Sequence, residues 1–214
     1  MAGVFGSPAC VVALTMVAIG LALPCKTEAQ PLTPVKRAEM IDVARQMAEF
    51  KWVPSTRNLV AACVSNYRTP WRPGEAVTGV AYDWGGMDSL EVFRKRLASG
   101  EAAGSHKAEG STRCTAGVDC SGLVSLAWRL PRKFSTSDIQ TVSTPLNVNI
   151  FTELKPGDVL NKAGSHVVIF SSYNRDGSIN VYEAAGQQSR VVLTRTRWSR
   201  LQGYVPLRYK ATTD

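Results

Sequence analysis

A chain of 214 residues, 44% hydrophobic and 20% charged, is long enough for one domain with a proper core and too apolar to stay disordered. The same ordinary balance excludes collagen and coiled coil. A net charge of +8 favours polyanionic surroundings (nucleic acid, anionic lipid or an anionic cell wall) without choosing among them.

From the N-terminus, Ala9 to Leu23 is almost wholly apolar and ends at Pro24. A run of about 15 residues suits the core of a secretory signal and is short for a membrane span. No Lys or Arg precedes it, which is atypical of a signal. Thr27-Glu28-Ala29 offers small residues at both ends of a cleavage triplet, so residues 1–29 are read as a signal peptide cut after Ala29. No stable membrane anchor is expected, and the protein is placed in the periplasm or outside the cell. Export removes Cys10 and Cys25 and leaves Cys63, Cys114 and Cys120, an odd number in an oxidising compartment. Either Cys63 pairs with Cys114 and Cys120 stays a free thiol, or all three are buried free cysteines. With only His106 and His166 available and no Cys-x-x-Cys spacing, no metal site is expected.

The segment 30–78 reads as helical. Thr33 serves as N-cap, Pro34 as first helical residue, and a stripe of Val35, Ala38, Ile41, Met47 and Ala48 carries a helix to Phe50. A second short helix is read over Leu59 to Tyr67. Residues 68–80, with two Pro and two Gly, are loop. Ser89 to Ser99 is helical again, 100–118 is an aperiodic Gly/Ser/Ala/Lys loop, and Cys120 to Leu130 is a short helix stopped by Pro131. Beyond Pro156-Gly157 the period changes. Short branched runs at Val159–Leu160, Val167–Ser171, Ile179–Glu183, Val191–Thr196 and Tyr204–Leu207 are strands, with a hairpin turn at Asn174-Arg175-Asp176-Gly177. Helices first and an antiparallel sheet after make an α+β fold.

The chemistry is carried by Asp119-Cys120-Ser121-Gly122 and by His166. A cysteine at a helix N-terminus meets unpaired backbone N–H groups and a dipole that favour negative charge. The same N–H groups can hold an oxyanion. A histidine opening a strand needs partners for two ring nitrogens. Cys120 is the first candidate. Glu183 is the second, because a four-residue hairpin loop puts it opposite Val168, on the face of His166 and one pair along. His106 is read as an exposed loop residue. Arg190, Arg195, Arg197 and Arg200 form a basic run suited to carboxylate-rich polymers or to plain solvation.

Four segments in order resemble one family: Tyr82-Asp83-Trp84-Gly85-Gly86, Asp119-Cys120-Ser121-Gly122, Leu154-Lys155-Pro156-Gly157-Asp158-Val159-Leu160 and the His166 strand look like the NlpC/P60 cysteine peptidases. The resemblance spans 79–210 and implies a papain-like fold acting on cell-wall stem peptides. It implies Cys120 as nucleophile, His166 as base and Tyr82 beside Cys120, with Tyr82, Trp84 and Ser121 as the oxyanion- and substrate-binding set. From the residues alone, Tyr82 and Trp84 read as core aromatics. Two features depart from the pattern. The stretch between Gly86 and Asp119 is longer than the family carries. The third position, usually His, is Glu183, which is more like the CHAP amidases, although their Asn two residues on is here Ala185.

The expectation is an exported thiol hydrolase that cleaves the D-Glu to diamino-acid bond of peptidoglycan. A CHAP-type N-acetylmuramoyl-L-alanine amidase, or a catalytically silent wall-binding module, is the alternative. No cofactor is required, no nucleic-acid motif is present, and a monomer is expected.

Overall fold

The structure is a computed structural model that describes residues 31–106 and 111–214, so the signal-peptide assignment for 1–29 lies outside the described residues. Among the described residues three α-helices, α1 (Arg37–Glu49), α2 (Leu90–Ser99) and α3 (Cys120–Ala127), accompany a six-stranded antiparallel sheet. The strands are β1 (Ser143–Pro145), β2 (Val159–Lys162), β3 (His166–Tyr173), β4 (Ile179–Ala185), β5 (Arg190–Thr196) and β6 (Val205–Tyr209). Their spatial order is β5-β4-β3-β2-β6-β1. Residues 32–214 form a single compact unit, in accord with the expected α+β class.

Both faces of the sheet are covered, which is why its central strands read as near-continuous apolar runs rather than clean alternations. On one face Val167, Ile169, Tyr182, Ala184 and Val191 join Met40, Ala44 and Met47 of α1 and Leu123, Val124 and Ala127 of α3 in the main core. On the other, Leu160, Val168, Phe170, Ile179 and Val181 are covered by irregular segments that supply Leu154, Trp198, Leu201 and Tyr204.

Several local readings are corrected. Thr33-Pro34 does not start α1, because Val35–Lys36 pairs in parallel with Thr212–Thr213 before the helix begins. The start is marked instead by Glu39, whose carboxylate accepts the Lys36 N–H at 3.2 Å. No α-helix forms over 59–67. A 3-10 turn at Thr56–Leu59 is followed by turns. A stretch this short has little helix stability of its own. Here tertiary bonds override it: the Asn58 amide donates to the Leu97 and Glu101 carbonyls, and Cys63 is disulfide-bonded to Cys114. That bond closes a loop of 51 residues, worth about 4 kcal/mol in a chain-entropy account, and leaves Cys120 as the free cysteine among the described residues. The stretches 68–80 and 100–118, read as loop, contain short strands: Val77–Thr78 pairs with Lys51–Trp52, and Ala102–Ala103 pairs with Thr115–Ala116.

The hairpin joining β3 and β4 is one residue longer than expected. Tyr173 pairs with Ile179, not with Ser178. A bulge between Phe170 and Ser172 removes the extra residue, so Ile169 pairs with Tyr182 and the register expected further along is recovered. The bulge therefore decides that His166 and Glu183 share a face.

Candidate active site

α3 begins at Cys120 because Asp119 caps it. The Asp119 carboxylate accepts the Gly122 N–H at 2.7 Å and the Ser121 hydroxyl at 3.1 Å. Its other oxygen accepts the Gly85 N–H at 2.8 Å and faces Lys133 Nζ at 2.9 Å. One buried carboxylate thus ties the Tyr82–Gly86 segment, the first turn of α3 and the Lys133 loop together. Gly122 has a separate reason to lack a side chain: a Cβ there would run into the Gly86 carbonyl oxygen. That carbonyl accepts the Asp119 N–H at 3.1 Å. The first-turn N–H groups of Cys120 and Ser121 have no partner inside the helix.

His166 lies at the start of β3, and its Nε2 is 2.8 Å from Glu183 Oε2. The ring's other partner is Cys120. Burial alone would lower the His166 pKa, but hydrogen bonds to Cys120 and Glu183, and the negative charge of both, outweigh it and raise it to about 9. Burial would likewise raise Glu183, yet hydrogen bonds from His166 and Thr194 and the charge of His166 hold it below the usual carboxylate range. Thr194 reaches Glu183 because β5 pairs Val192 with Glu183 and Thr194 with Val181, placing the two on one face. An imidazole between a thiol and a hydrogen-bonded carboxylate can take a proton from sulfur and return it to a leaving group.

Tyr82 is half-buried and stacks on His106, ring centroids 5.1 Å apart. Burial, together with the negative charges of Cys120, Asp119 and Asp83, raises its hydroxyl well above the usual tyrosine range, so it stays a donor. Trp84 is not a core aromatic: it is 53% exposed, and its backbone N–H bonds the Ser105 carbonyl. Ser121 is buried, and its hydroxyl is engaged by Asp119 and by Lys133 at 3.0 Å, so only its backbone N–H remains for a substrate. Asp83 is fully buried. Its Oδ1 accepts the Thr115 hydroxyl, and burial raises its pKa to about 7.

His106 is an exposed loop residue as expected, but its contacts, like Ser189, Thr194 and Tyr204, escaped sequence reasoning. His106 Nε2 lies 3.0 Å from the Ser189 hydroxyl, and Gly186 sits beside both His106 and Tyr82. At His106 the described part of the stretch between Gly86 and Asp119 therefore comes back onto Tyr82. Burial lowers the His106 pKa, which favours the neutral ring. Only Thr194 left a signal, its strand parity with Glu183. Among the described residues no cluster of His, Cys, Asp and Glu could hold a metal ion, and no helix is long and apolar enough to cross a membrane.

Compared with known proteins, the chain matches no family model and no curated protein.

Proposed function

We propose that the chain is an exported thiol hydrolase of the NlpC/P60 superfamily, papain-like in architecture, that cleaves amide bonds in peptidoglycan stem peptides. The observation that carries this reading is the line Cys120–His166–Glu183, with the cysteine opening an N-capped helix and the histidine held at 2.8 Å by the carboxylate. The four motif segments and their order support the family and the substrate class. The Cys63–Cys114 disulfide supports an oxidising compartment.

In this mechanism His166 already holds the proton taken from Cys120, and Sγ attacks the amide carbonyl carbon. The carbonyl oxygen becomes an oxyanion facing the N–H groups of Cys120 and Ser121 and the Tyr82 hydroxyl. Its collapse breaks the C–N bond. The electron pair leaves on nitrogen, which takes the proton from His166, and a thioester remains. Water then adds to the thioester and gives a proton to His166. The carboxylic acid departs and Sγ is again a thiolate beside the imidazolium. The leading bond is D-Glu to diamino acid. A carboxylate rather than a histidine in the third position favours CHAP-type N-acetylmuramoyl-L-alanine amidase as the second reading.

Iodoacetamide separates an enzyme from a silent wall-binding module. Cys120 is expected to alkylate readily at pH 7, and His166→Ala, which removes the proton acceptor, is expected to slow it about tenfold or more. Equal rates in the two proteins would remove Cys120 as a nucleophile and favour the binding module.

A further inference from the structure

The loop after α3, from Leu130 to Ser137, runs back along the helix towards its first turn. It is clamped there. The Ser125 hydroxyl donates to the Ser121 carbonyl at 2.8 Å and accepts the Phe134 N–H at 3.0 Å, and the Asn161 amide of β2 donates to the Thr136 carbonyl at 2.9 Å. The clamp brings Lys133 to both neighbours of Cys120. Its Nζ lies 2.9 Å from Asp119 Oδ2 and donates to the Ser121 hydroxyl oxygen at 3.0 Å. The Lys133 side chain is 26% exposed and that of Asp119 8%, so water and salt screen this pair less than one on the open surface. The adjacent Arg132 does not share the role: its guanidinium lies over the Phe134 ring, 4.1 Å from the centroid. Among the described residues Lys133 is the one cation paired with Asp119.

We propose that Lys133 is a positioning residue for the nucleophile: its ammonium offsets the charge of the Asp119 carboxylate, so that the cap of α3 does not oppose a thiolate at Cys120. The inference rests on the reading of Cys120 as nucleophile. Asp119 is needed as the cap, yet it sets a negative charge on the residue before the one that must become an anion. That charge reaches the site. After burial and Cys120 it is a further cause of the raised Tyr82 hydroxyl, and it acts in the same direction on Asp83. The cap also takes the Gly122 N–H, a first-turn donor that would otherwise be open to an anion. The other titratable groups about Cys120 bring no positive charge to Asp119. His166, backed by Glu183, meets the sulfur from the sheet, while Tyr82 and Tyr204 are both raised and stay neutral. Asp83, raised to about 7, titrates in native protein and Lys133 variants alike, so a comparison between them isolates Lys133.

Alkylation by iodoacetamide, followed against pH, reads the thiolate directly. Lys133→Gln keeps a hydrogen-bonding group beside Asp119 and Ser121 and removes the charge. It is expected to slow alkylation about fivefold on the acid side of the profile, moving the half-maximal rate to higher pH and leaving the alkaline plateau intact. Lys133→Arg should restore the native profile. A merely structural contact would lower Tm without moving the midpoint. Adding Asp119→Asn to Lys133→Gln keeps a capping oxygen and removes the charge to be offset, so the midpoint should return towards native. A native midpoint in folded Lys133→Gln, or a raised one that Asp119→Asn fails to restore, would overturn the inference. Should Lys133→Gln alone not fold, the double variant decides: a midpoint near native supports the inference and a raised one overturns it. Alkylation that His166→Ala leaves unchanged counts against the hydrolase reading, and the Lys133→Gln midpoint still decides this inference on its own.

Discussion

Glu183→Gln is expected to lower turnover about 1,000-fold while leaving the fold intact. Glutamine keeps the shape and can still meet Nε2, but it carries no charge to stabilise the imidazolium and offers an N–H where His166 needs an acceptor. The pH profile distinguishes this from a general loss of packing. Protonated His166 supplies the leaving amine, so activity should fall as pH rises through about 9, where the imidazolium is lost. Glu183 is one cause of that raised value, so its replacement should move the alkaline limb to lower pH. The same proton is linked to stability. His166 binds it more tightly folded than unfolded, so its stabilising contribution is complete below the unfolded value near 6.5 and disappears as pH climbs through about 9. Kinetics equal to native, or a lower rate with an unmoved limb, would remove Glu183 from the catalytic line.

Gly122→Ala should be among the most damaging single changes outside the reacting groups. On propensity alone, alanine would stabilise α3 by about 1 kcal/mol. The new Cβ would meet the Gly86 carbonyl oxygen, a backbone atom that cannot rotate away and that accepts the Asp119 N–H. Overpacking of this kind costs about 3 kcal/mol, so the clash wins. A net loss of about 2 kcal/mol corresponds to a fall of about 4–8 °C in Tm for a domain of this size. Activity should fall further than stability, because the displaced segment carries Tyr82. A Tm within a degree of native would show that the Gly86 segment yields freely, and would weaken the account of how the first turn of α3 is set.

How much of this was legible in the sequence depended on whether a signal was local. The change from an aperiodic loop to an apolar run is legible in adjacent residues, and it put Cys120 at the helix N-terminus; the Asp119 cap that fixes that start is seen in the structure. The two strand runs over 166–171 and 179–185, with turn residues between, fixed by strand parity the face shared by His166 and Glu183 even though the turn was misjudged, because the bulge beyond Phe170 compensates for the longer loop. Where tertiary partners decide, local reading failed. Leu59 to Tyr67 looks helical until Asn58 is spent on the Leu97 and Glu101 carbonyls and Cys63 on Cys114. Thr33-Pro34 looks like a helix start until the following residues pair with a segment near position 212. His106 reaches Tyr82 through an isolated pairing of Asp83 with Ser105, a contact with no sequence period behind it. Arg200 and Tyr204 line one cavity with His166 because the connection from β5 to β6 covers that face of the sheet, an arrangement that the spacing of strands along the chain does not reveal.

The most direct measurement incubates purified peptidoglycan with the native protein beside its Cys120→Ala variant and reads the soluble products by mass spectrometry. The account predicts stem-peptide fragments released by the native protein alone, with masses that name the D-Glu to diamino-acid bond as the one cut. Identical supernatants, with both proteins recovered on the insoluble wall, would contradict it.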